Sequence, residues 1–322
     1  MQSRQWVRTG ALAGLAGAGF AWLRFRREMS EASARLDAGS AVVETAAGPI
    51  EYGREGEGEP VLLIHGAGGG YDQGLAIGRD TLGFGYDLIA PSRFGYLRTP
   101  LRRNLSPAAQ ADAHAALLDE LNVDRAVVLA ASAGAPSAIE LALRHPGRVK
   151  AMILLVPRAY DPEAIVRVDS SLSSQAVLKL IEAASDFAFW LAIRVARRAV
   201  VRFLGVPPEV EARAAPEERE RVTALMHGIL PLSRRIAGIE AEDAFEMKPW
   251  PLQRICAPTL IVSAEDDLFR TLPGARFTAE GIPGAELEVL PDGGHLMVGH
   301  GGRVEARVAR FLDRQTPLRR VA

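Results

Sequence analysis

The chain has 322 residues, 34.6 kDa, which suits one large domain or two small ones at about 100–200 residues each. Lys+Arg number 38 and Asp+Glu 39, so the near-zero charge excludes the basic field of a non-specific nucleic-acid binder, and 48% hydrophobic residues exclude a disordered chain. The lone cysteine, Cys256, excludes an intrachain disulfide, a C-x-x-C pair and a cysteine-rich zinc site; the histidines form no H-x-x-x-H pair, so no metal is expected.

The first element is apolar. Thr9 to Leu23 (TGALAGLAGAGFAWL) carries no charge, with Arg4 and Arg8 before it and Arg24, Arg26 and Arg27 after it. As a helix this run spans about 22 Å, short of the roughly 30 Å hydrocarbon core. Extending it back to Trp6 takes in Arg8, which can snorkel near a helix end, and puts Trp6 and Trp22 near the two ends. The flanks favour a single-pass membrane anchor over residues 6–23, standing apart from the globular part, with the side of the membrane undecided. A cleaved signal peptide and a helix of a soluble cytoplasmic protein are the alternatives. Residues 1–30 are therefore set aside as an N-terminal segment, and Glu28 to Asp37 reads as polar, helical or linking.

Strand-like runs then follow at Ala41–Glu44, Ile50–Tyr52, Val61–Ile64, Tyr86–Ala90, Ala126–Ala130, Ala151–Val156, Thr259–Val262 and Glu286–Leu290. From the third onward they are almost wholly apolar, the mark of strands buried on both faces of a parallel sheet. Between them, Ser106-Pro107 opens a helix running to Leu121, Ala135–Arg144 forms a second that His145-Pro146-Gly147 stops, and Val304–Leu312 forms the last. The expected fold is α/β: an eight-stranded, mostly parallel sheet with helices on both faces.

The alternation breaks between Ala159 and Pro251, where Ser170–Leu204 and Pro216–Gly228 are helical in period and no strand is convincing. This block reads as a helical cap over residues 159–250, dividing a core into 40–158 and 251–316. Within it, Phe189 to Val206 is apolar and Arg-rich. It reads as an amphipathic core helix with a solvated basic face, or as a surface that leans on a membrane.

Four motifs carry chemistry. Ala130-Ala131-Ser132-Ala133-Gly134 lies between a strand and a helix, the layout of a nucleophile elbow; the plainer reading of Ser132 is a helix N-cap. His65-Gly66-Ala67-Gly68-Gly69-Gly70 follows the third strand, where glycines let backbone N–H groups turn toward a developing anion. Its ending fits neither a P-loop nor a dinucleotide fingerprint. Asp266 and Asp267 close the seventh strand, and His295 sits in the Gly-rich turn after the eighth. Each piece is weak alone, but all four come in the order of a nucleophile, acid and base at the carboxyl rim of a sheet.

On HGAGGG, AASAGAPSA, TLIVSAEDD and PDGGH, in that order, the chain from about Val42 to Leu312 resembles the α/β-hydrolase superfamily, in the branch of carboxylesterases, proline-iminopeptidase-like enzymes and C–C bond hydrolases. The resemblance implies Ser132 as nucleophile, His295 as general base, Asp267 as the acid with Asp266 as a rival, and the N–H groups of Ala67 and Ala133 as oxyanion hole. Ala130 and Ala264 depart from the family's glycines. The serine disfavours branches with a nucleophilic aspartate.

The implied reaction is acyl transfer to water through an acyl-enzyme, with no cofactor. An apolar cap fits an apolar ester, so a carboxylesterase is expected, acting on a small molecule. An aminopeptidase, which would need carboxylates such as Glu240, Glu242 or Asp243 to hold an amine, and a C–C bond hydrolase are the enzymatic alternatives; a hydrolase-fold binding or scaffold protein is the other. Tyr71, Arg93, Tyr96, Arg158 and Met297, each beside a motif or strand end, are the expected substrate contacts.

Overall fold

A computed structural model describes residues 2–162, 185–242 and 247–315, with side chains from residue 19 onward. Eight strands form one sheet: β1 (Ala41–Thr45), β2 (Gly48–Glu55), β3 (Glu59–Ile64), β4 (Tyr86–Pro91), β5 (Ala126–Ala131), β6 (Val149–Leu155), β7 (Thr259–Ala264) and β8 (Glu286–Leu290). Their spatial order is β1-β2-β4-β3-β5-β6-β7-β8. β1 and β2 are antiparallel, β2 runs against β4, and every pair from β4 to β8 is parallel.

The apolar runs are explained by burial on both faces. In β3 and β5, Leu62, Ile64, Val128 and Ala130 enter one core with α3 (Pro107–Glu120), α4 (Ala135–Arg144) and α10 (Thr271–Gly281). Their neighbours Val61, Leu63, Val127 and Leu129 enter the other with α2 (Tyr71–Thr81) and α11 (Gly301–Gln315). Period-two side chains thus alternate between two dry layers, and no position on these strands needs to be polar. Ser106 caps α3 by accepting from the Ala109 N–H at 3.2 Å.

Helices α2 and α10 were not legible. Both carry glycines in their interiors (YDQGLAIGRDT and TLPGARFTAEG), which lower helix propensity and break the apolar period. Between β6 and β7 the described cap holds α5 (Asp186–Val195), α6 (Arg197–Phe203), α7 (Pro208–Arg213), α8 (Pro216–Gly228) and α9 (Ile236–Ala241). The expected helix from Ser170 to Leu204 lies partly outside the described residues. Its described part is two helices, broken at Ala196, whose φ of −132° and ψ of 36° leave the helical region.

The N-terminus requires a correction. Helix α1 runs over Gln2–Ala38, taking in the polar stretch expected as a helix or linker. No helix among the described residues is long and apolar enough to cross a membrane. Nor does α1 stand apart. Phe25 is buried in the cap core beside Phe187 and Trp190, with ring centroids 5.2 and 5.7 Å away. Glu28 accepts hydrogen bonds from Trp190 Nε1 at 2.7 Å and Arg194 at 2.6 Å, and Leu36 lies in the sheet core, its carbonyl accepting from the Tyr71 hydroxyl. The second half of α1 thus ties the cap to the sheet.

Candidate active site

Strand β5 ends at Ala131, and Ser132 follows with φ of +48° before a single 3₁₀ turn leads into α4. A left-handed φ at a non-glycine residue is strained and persists only where surroundings impose it. Here the Ser132 carbonyl accepts from the Arg158 N–H at 3.0 Å and from the Ala135 N–H. The following loop must pass close to β3: a Cβ on Gly134 would lie 2.7 Å from the carbonyl oxygens of both Ile64 and His65. That contact is why Gly134 is glycine. Ala130, in place of the family's glycine, is fully buried within the regular β5 pairing.

Asp267 and His295 meet at this turn. His295 lies in the turn after β8, 8% exposed, with Nε2 2.8 Å from Ser132 Oγ and Nδ1 2.8 Å from Asp267 Oδ2. Because a carboxylate only accepts, Nδ1 carries the proton and donates to Asp267, leaving Nε2 to accept from the serine hydroxyl. Asp267, 4% exposed, also accepts from Thr271 Oγ1 at 2.5 Å and from the Phe269 N–H at 2.8 Å. Asp266 points elsewhere. It accepts from the N–H groups of Gly294 at 2.8 Å and Gly293 at 3.3 Å, so it braces the loop that carries His295. Phe269 stands edge-on to the imidazole, centroids 4.7 Å apart.

The cap reaches into this arrangement through Gly205, just after α6. Its carbonyl accepts from the N–H groups of His295 at 3.0 Å and Leu268 at 3.1 Å, binding the base loop and the acid loop to one cap atom. With φ of +79°, and with only 2.6 Å between a would-be Cβ and His295 Cβ, only glycine fits there.

The glycine-rich loop after β3 is clamped from below and above. His65 is fully buried; its Nε2 accepts from the Arg93 N–H at 3.0 Å, so Nδ1 carries the proton and donates to the Gly66 carbonyl at 2.7 Å. Burial, with the nearby Arg93 charge, holds its pKa well below the usual histidine range, so it stays neutral. Gln73 Oε1 accepts from the Gly66 N–H at 2.9 Å. From the cap, the wholly buried Arg235 donates to the Gly69 carbonyl at 2.6 Å and to both oxygens of Asp72, at 3.1 and 2.8 Å. Glu242, also from the cap, pairs with Arg93 and accepts from the Tyr96 hydroxyl, while Arg93 Nη2 donates to the Gly66 carbonyl at 3.1 Å. Burial opposes the Arg93 charge, but Glu242 outweighs it and its pKa is raised; burial and Glu242 together raise Tyr96 well above the usual phenol range. This trio is therefore a buried ion pair with a neutral phenol.

Above Ser132 and His295 lies a cavity of about 540 Å³. The Gly66-Ala67-Gly68 loop forms one wall and Phe189, Phe203, Leu225 and Ile229 of the cap form the roof. The volume is that of a small-molecule site. Ala67 faces the cavity, and Ala133 directly follows Ser132. Of the expected substrate contacts only Met297 lines it. The other four are corrected. Tyr71 is buried, bonding the end of α1; Arg93 and Tyr96 are engaged with Glu242; Arg158 donates to the Glu242 carbonyl at 2.9 Å. Each sits after a strand as expected, but its side chain is bonded within the protein and does not line the cavity.

Sequence reading missed Gln73, Gly205, Arg235 and Thr271. Thr271, four residues after Asp267 at the start of α10, was within local reach. Arg235 acts across more than 160 positions of chain and Gly205 across more than 60, and neither leaves a local signal.

The profile of the alpha/beta hydrolase fold family matches residues 59–300. The chain is 29% identical over 273 residues to a hydrolase of Bacillus subtilis, YcgS, whose function is uncharacterized, covering 78% of this chain and 89% of that one. It is 25% identical over 263 residues to 2-hydroxymuconate semialdehyde hydrolase of Pseudomonas putida, covering 80% and 88%. Among solved structures, an alpha/beta hydrolase fold protein of Nakamurella multipartita shares 30% identity at a TM-score of 0.63, covering 85% of this chain and 98% of that one.

Proposed function

The chain belongs to the α/β-hydrolase fold family, and within it we propose a serine hydrolase that cleaves apolar carboxylic esters through an acyl-enzyme. The observation that carries this reading is the continuous hydrogen-bonded line from Ser132 Oγ through His295 to Asp267, on the floor of an apolar cavity. In this proposal His295 Nε2 takes the serine proton as Oγ attacks the ester carbonyl. The oxyanion is held by the N–H groups of Ala67 and Ala133. Collapse of the tetrahedral intermediate breaks the C–O bond, and His295 returns the proton to the departing alcohol. Water then enters, gives its proton to His295 and attacks the acyl carbon, and Ser132 leaves with that proton. Asp267 keeps the imidazole in the required tautomer and stabilises the imidazolium.

The apolar roof supports an ester without a charged group near the reacting bond. Of the carboxylates expected to hold an amine in an aminopeptidase, Glu242 is committed to Arg93, Glu240 faces solvent, and Asp243 lies outside the described residues; of those lining the cavity, Glu218 is paired with Arg221. A C–C bond hydrolase is the second reading, favoured by the likeness to the Pseudomonas putida protein. A panel of nitrophenyl esters of rising acyl length, beside an aminoacyl amide and a vinylogous diketone, separates the three. The proposal expects turnover of medium-chain esters and phosphonate labelling of Ser132. Turnover of the diketone alone would replace it with the second reading. Absence of both turnover and labelling would leave a hydrolase-fold binding protein.

A further inference from the structure

The first half of α1 has an unusual sequence: Thr9 to Leu23 carries no charge and is closed by Arg24, Arg26 and Arg27. At its described end Phe20, Trp22 and Leu23 are exposed at 70%, 48% and 69%, values rare for large apolar side chains on adjacent turns. Trp22 also contacts the cap, with its ring centroid 5.5 Å from that of Phe187. From Phe187 the stripe continues along α5 at helical spacing, to Leu191 and then Val195, both exposed, Val195 at 73%. The opposite face of α5, with Phe189 and Ile193, is buried over the cavity side of the cap. Exposed Arg24, Arg26 and Arg27 follow the α1 residues and Arg198 follows Val195; Arg24 also pairs with Glu28 at 2.8 Å and Arg27 with Glu31 at 3.4 Å, while Arg26 and Arg198 have no acidic partner among the described residues.

We propose that Phe20, Trp22 and Leu23 of α1, with Leu191 and Val195 of α5, form a surface that docks the protein on an anionic phospholipid bilayer, α1 lying in the interface instead of crossing it. Two facts select this occupant. The uncharged run is too short to span the hydrocarbon core at about 1.5 Å per residue, and no helix among the described residues meets the requirement for crossing. Guanidinium groups bordering aromatic and aliphatic side chains match phosphate headgroups over acyl chains; a second copy of the chain would bring the same positive charge to the contact. Because α1 is bonded to the cap through Glu28, docking would present the cap side of the cavity to the lipid.

The test is flotation of the full chain with vesicles of phosphatidylglycerol and phosphatidylcholine, beside vesicles of phosphatidylcholine alone, at low and high salt. Binding to the anionic vesicles, weakened by salt and released by alkaline carbonate, is expected. Leu23→Glu and Val195→Glu should each lower binding at least tenfold while leaving the melting temperature and turnover of a water-soluble ester unchanged. Phe20→Glu serves if either variant unfolds. No binding to anionic vesicles overturns the proposal, as does binding that these variants leave intact or that resists carbonate, the mark of a crossing helix. A concentration-dependent dimer, abolished by the variants and blind to vesicles, also overturns it by naming a second copy as the occupant.

Discussion

The floor and the roof of the site are built by different rules. The floor, with Ser132, Asp267 and His295, is made of residues that each follow a parallel strand within a few positions, so strand ends set their places. The roof and clamps, with Gly205, Arg235 and Glu242, are cap residues whose partners lie far away in sequence. The cap holds the glycine-rich loop at Gly69 directly, at Gly66 through Arg93, and the loop of His295 through Gly205. Side chains gathered on a sheet rim are being kept in register by an insertion.

The sharpest separation of the two comes from the floor. Ser132→Ala should lower ester turnover by at least about a thousandfold with little change in melting temperature, since the hydroxyl supports no packing. Asp267→Asn should cost on the order of a thousandfold or more, because Asn can offer His295 an N–H and invert its tautomer. Asp266→Asn should cost far less, since its carbonyl can still accept from the Gly293 and Gly294 backbone. Steady-state rates for the three decide it; a larger loss at Asp266 than at Asp267 would reverse their roles.

The roof should show as a smaller but coupled effect. Arg235→Gln removes the clamp on Gly69 and takes the guanidinium from Asp72 in the first turn of α2. We expect kcat to fall roughly ten- to a hundredfold with KM nearly unchanged, because the loop's N–H groups matter most as charge develops. Asp72→Asn should do the same, and the double variant should be no worse than either single one. Arg235→Lys should rescue only partly, as a point charge cannot make both bonds. Additive losses would show that the clamp is not one unit. Gly205→Ala probes the second contact: the strained φ and the 2.6 Å approach to His295 Cβ should cost about 1–3 kcal/mol of stability, read by denaturant unfolding, and loosen the base.

This contrast also says what was legible. The central strands were readable because burial on both faces leaves Val61–Ile64 of β3 and all of β5 without a polar residue, and a run such as VLLI or AVVLA has no other soluble explanation at that length. Ser132, Asp267 and His295, which the structure brings within hydrogen-bond reach, could be picked out because each is punctuated locally, by Gly134, by paired aspartates and by PDGGH. Substrate contacts were not, because a position after a strand says which rim a residue occupies but not whether it points up into the cavity or down under the loop. Arg93 and Tyr96 turn away from the cavity to Glu242 of the cap, more than a hundred residues on. Helix α1 was misjudged for the same reason: the partners of Phe25 and Glu28 are on α5.

The attachment of α1 is open to a direct measurement. Phe25 is 9% exposed among Trp22, Phe187 and Trp190. Phe25→Ala should cost about 3 kcal/mol, in the range for an aromatic removed from a core. Deletion of residues 1–30 should cost more, since it also removes the Glu28 bonds to Trp190 and Arg194. A deletion that unfolds at the same temperature as the full chain would restore the view of α1 as a separate segment.

The smallest expected effect lies on the floor side, under α4. His114 is fully buried between α3 and α4, its Nε2 3.2 Å from Ser137 Oγ, whose hydroxyl donates to the Gly134 carbonyl at 3.0 Å. Burial, helped by the charge of Arg93, lowers its pKa from 6.5 to about 3, so in the folded protein it is neutral throughout the ordinary pH range. In the unfolded chain it protonates near 6.5, so between that value and about 3 the unfolded state binds the additional proton. The contribution to stability is complete above 6.5 and declines as pH falls toward 3. The buried His65 acts in the same direction. Thermal unfolding followed from pH 7 to pH 4 should therefore show a steady loss of stability. His114→Gln, which can keep a bond to Ser137, should flatten that slope while lowering stability slightly at pH 7. An unchanged slope would mean that this histidine is already charged in the fold, and that the support beneath the serine turn is an ion and not a neutral ring.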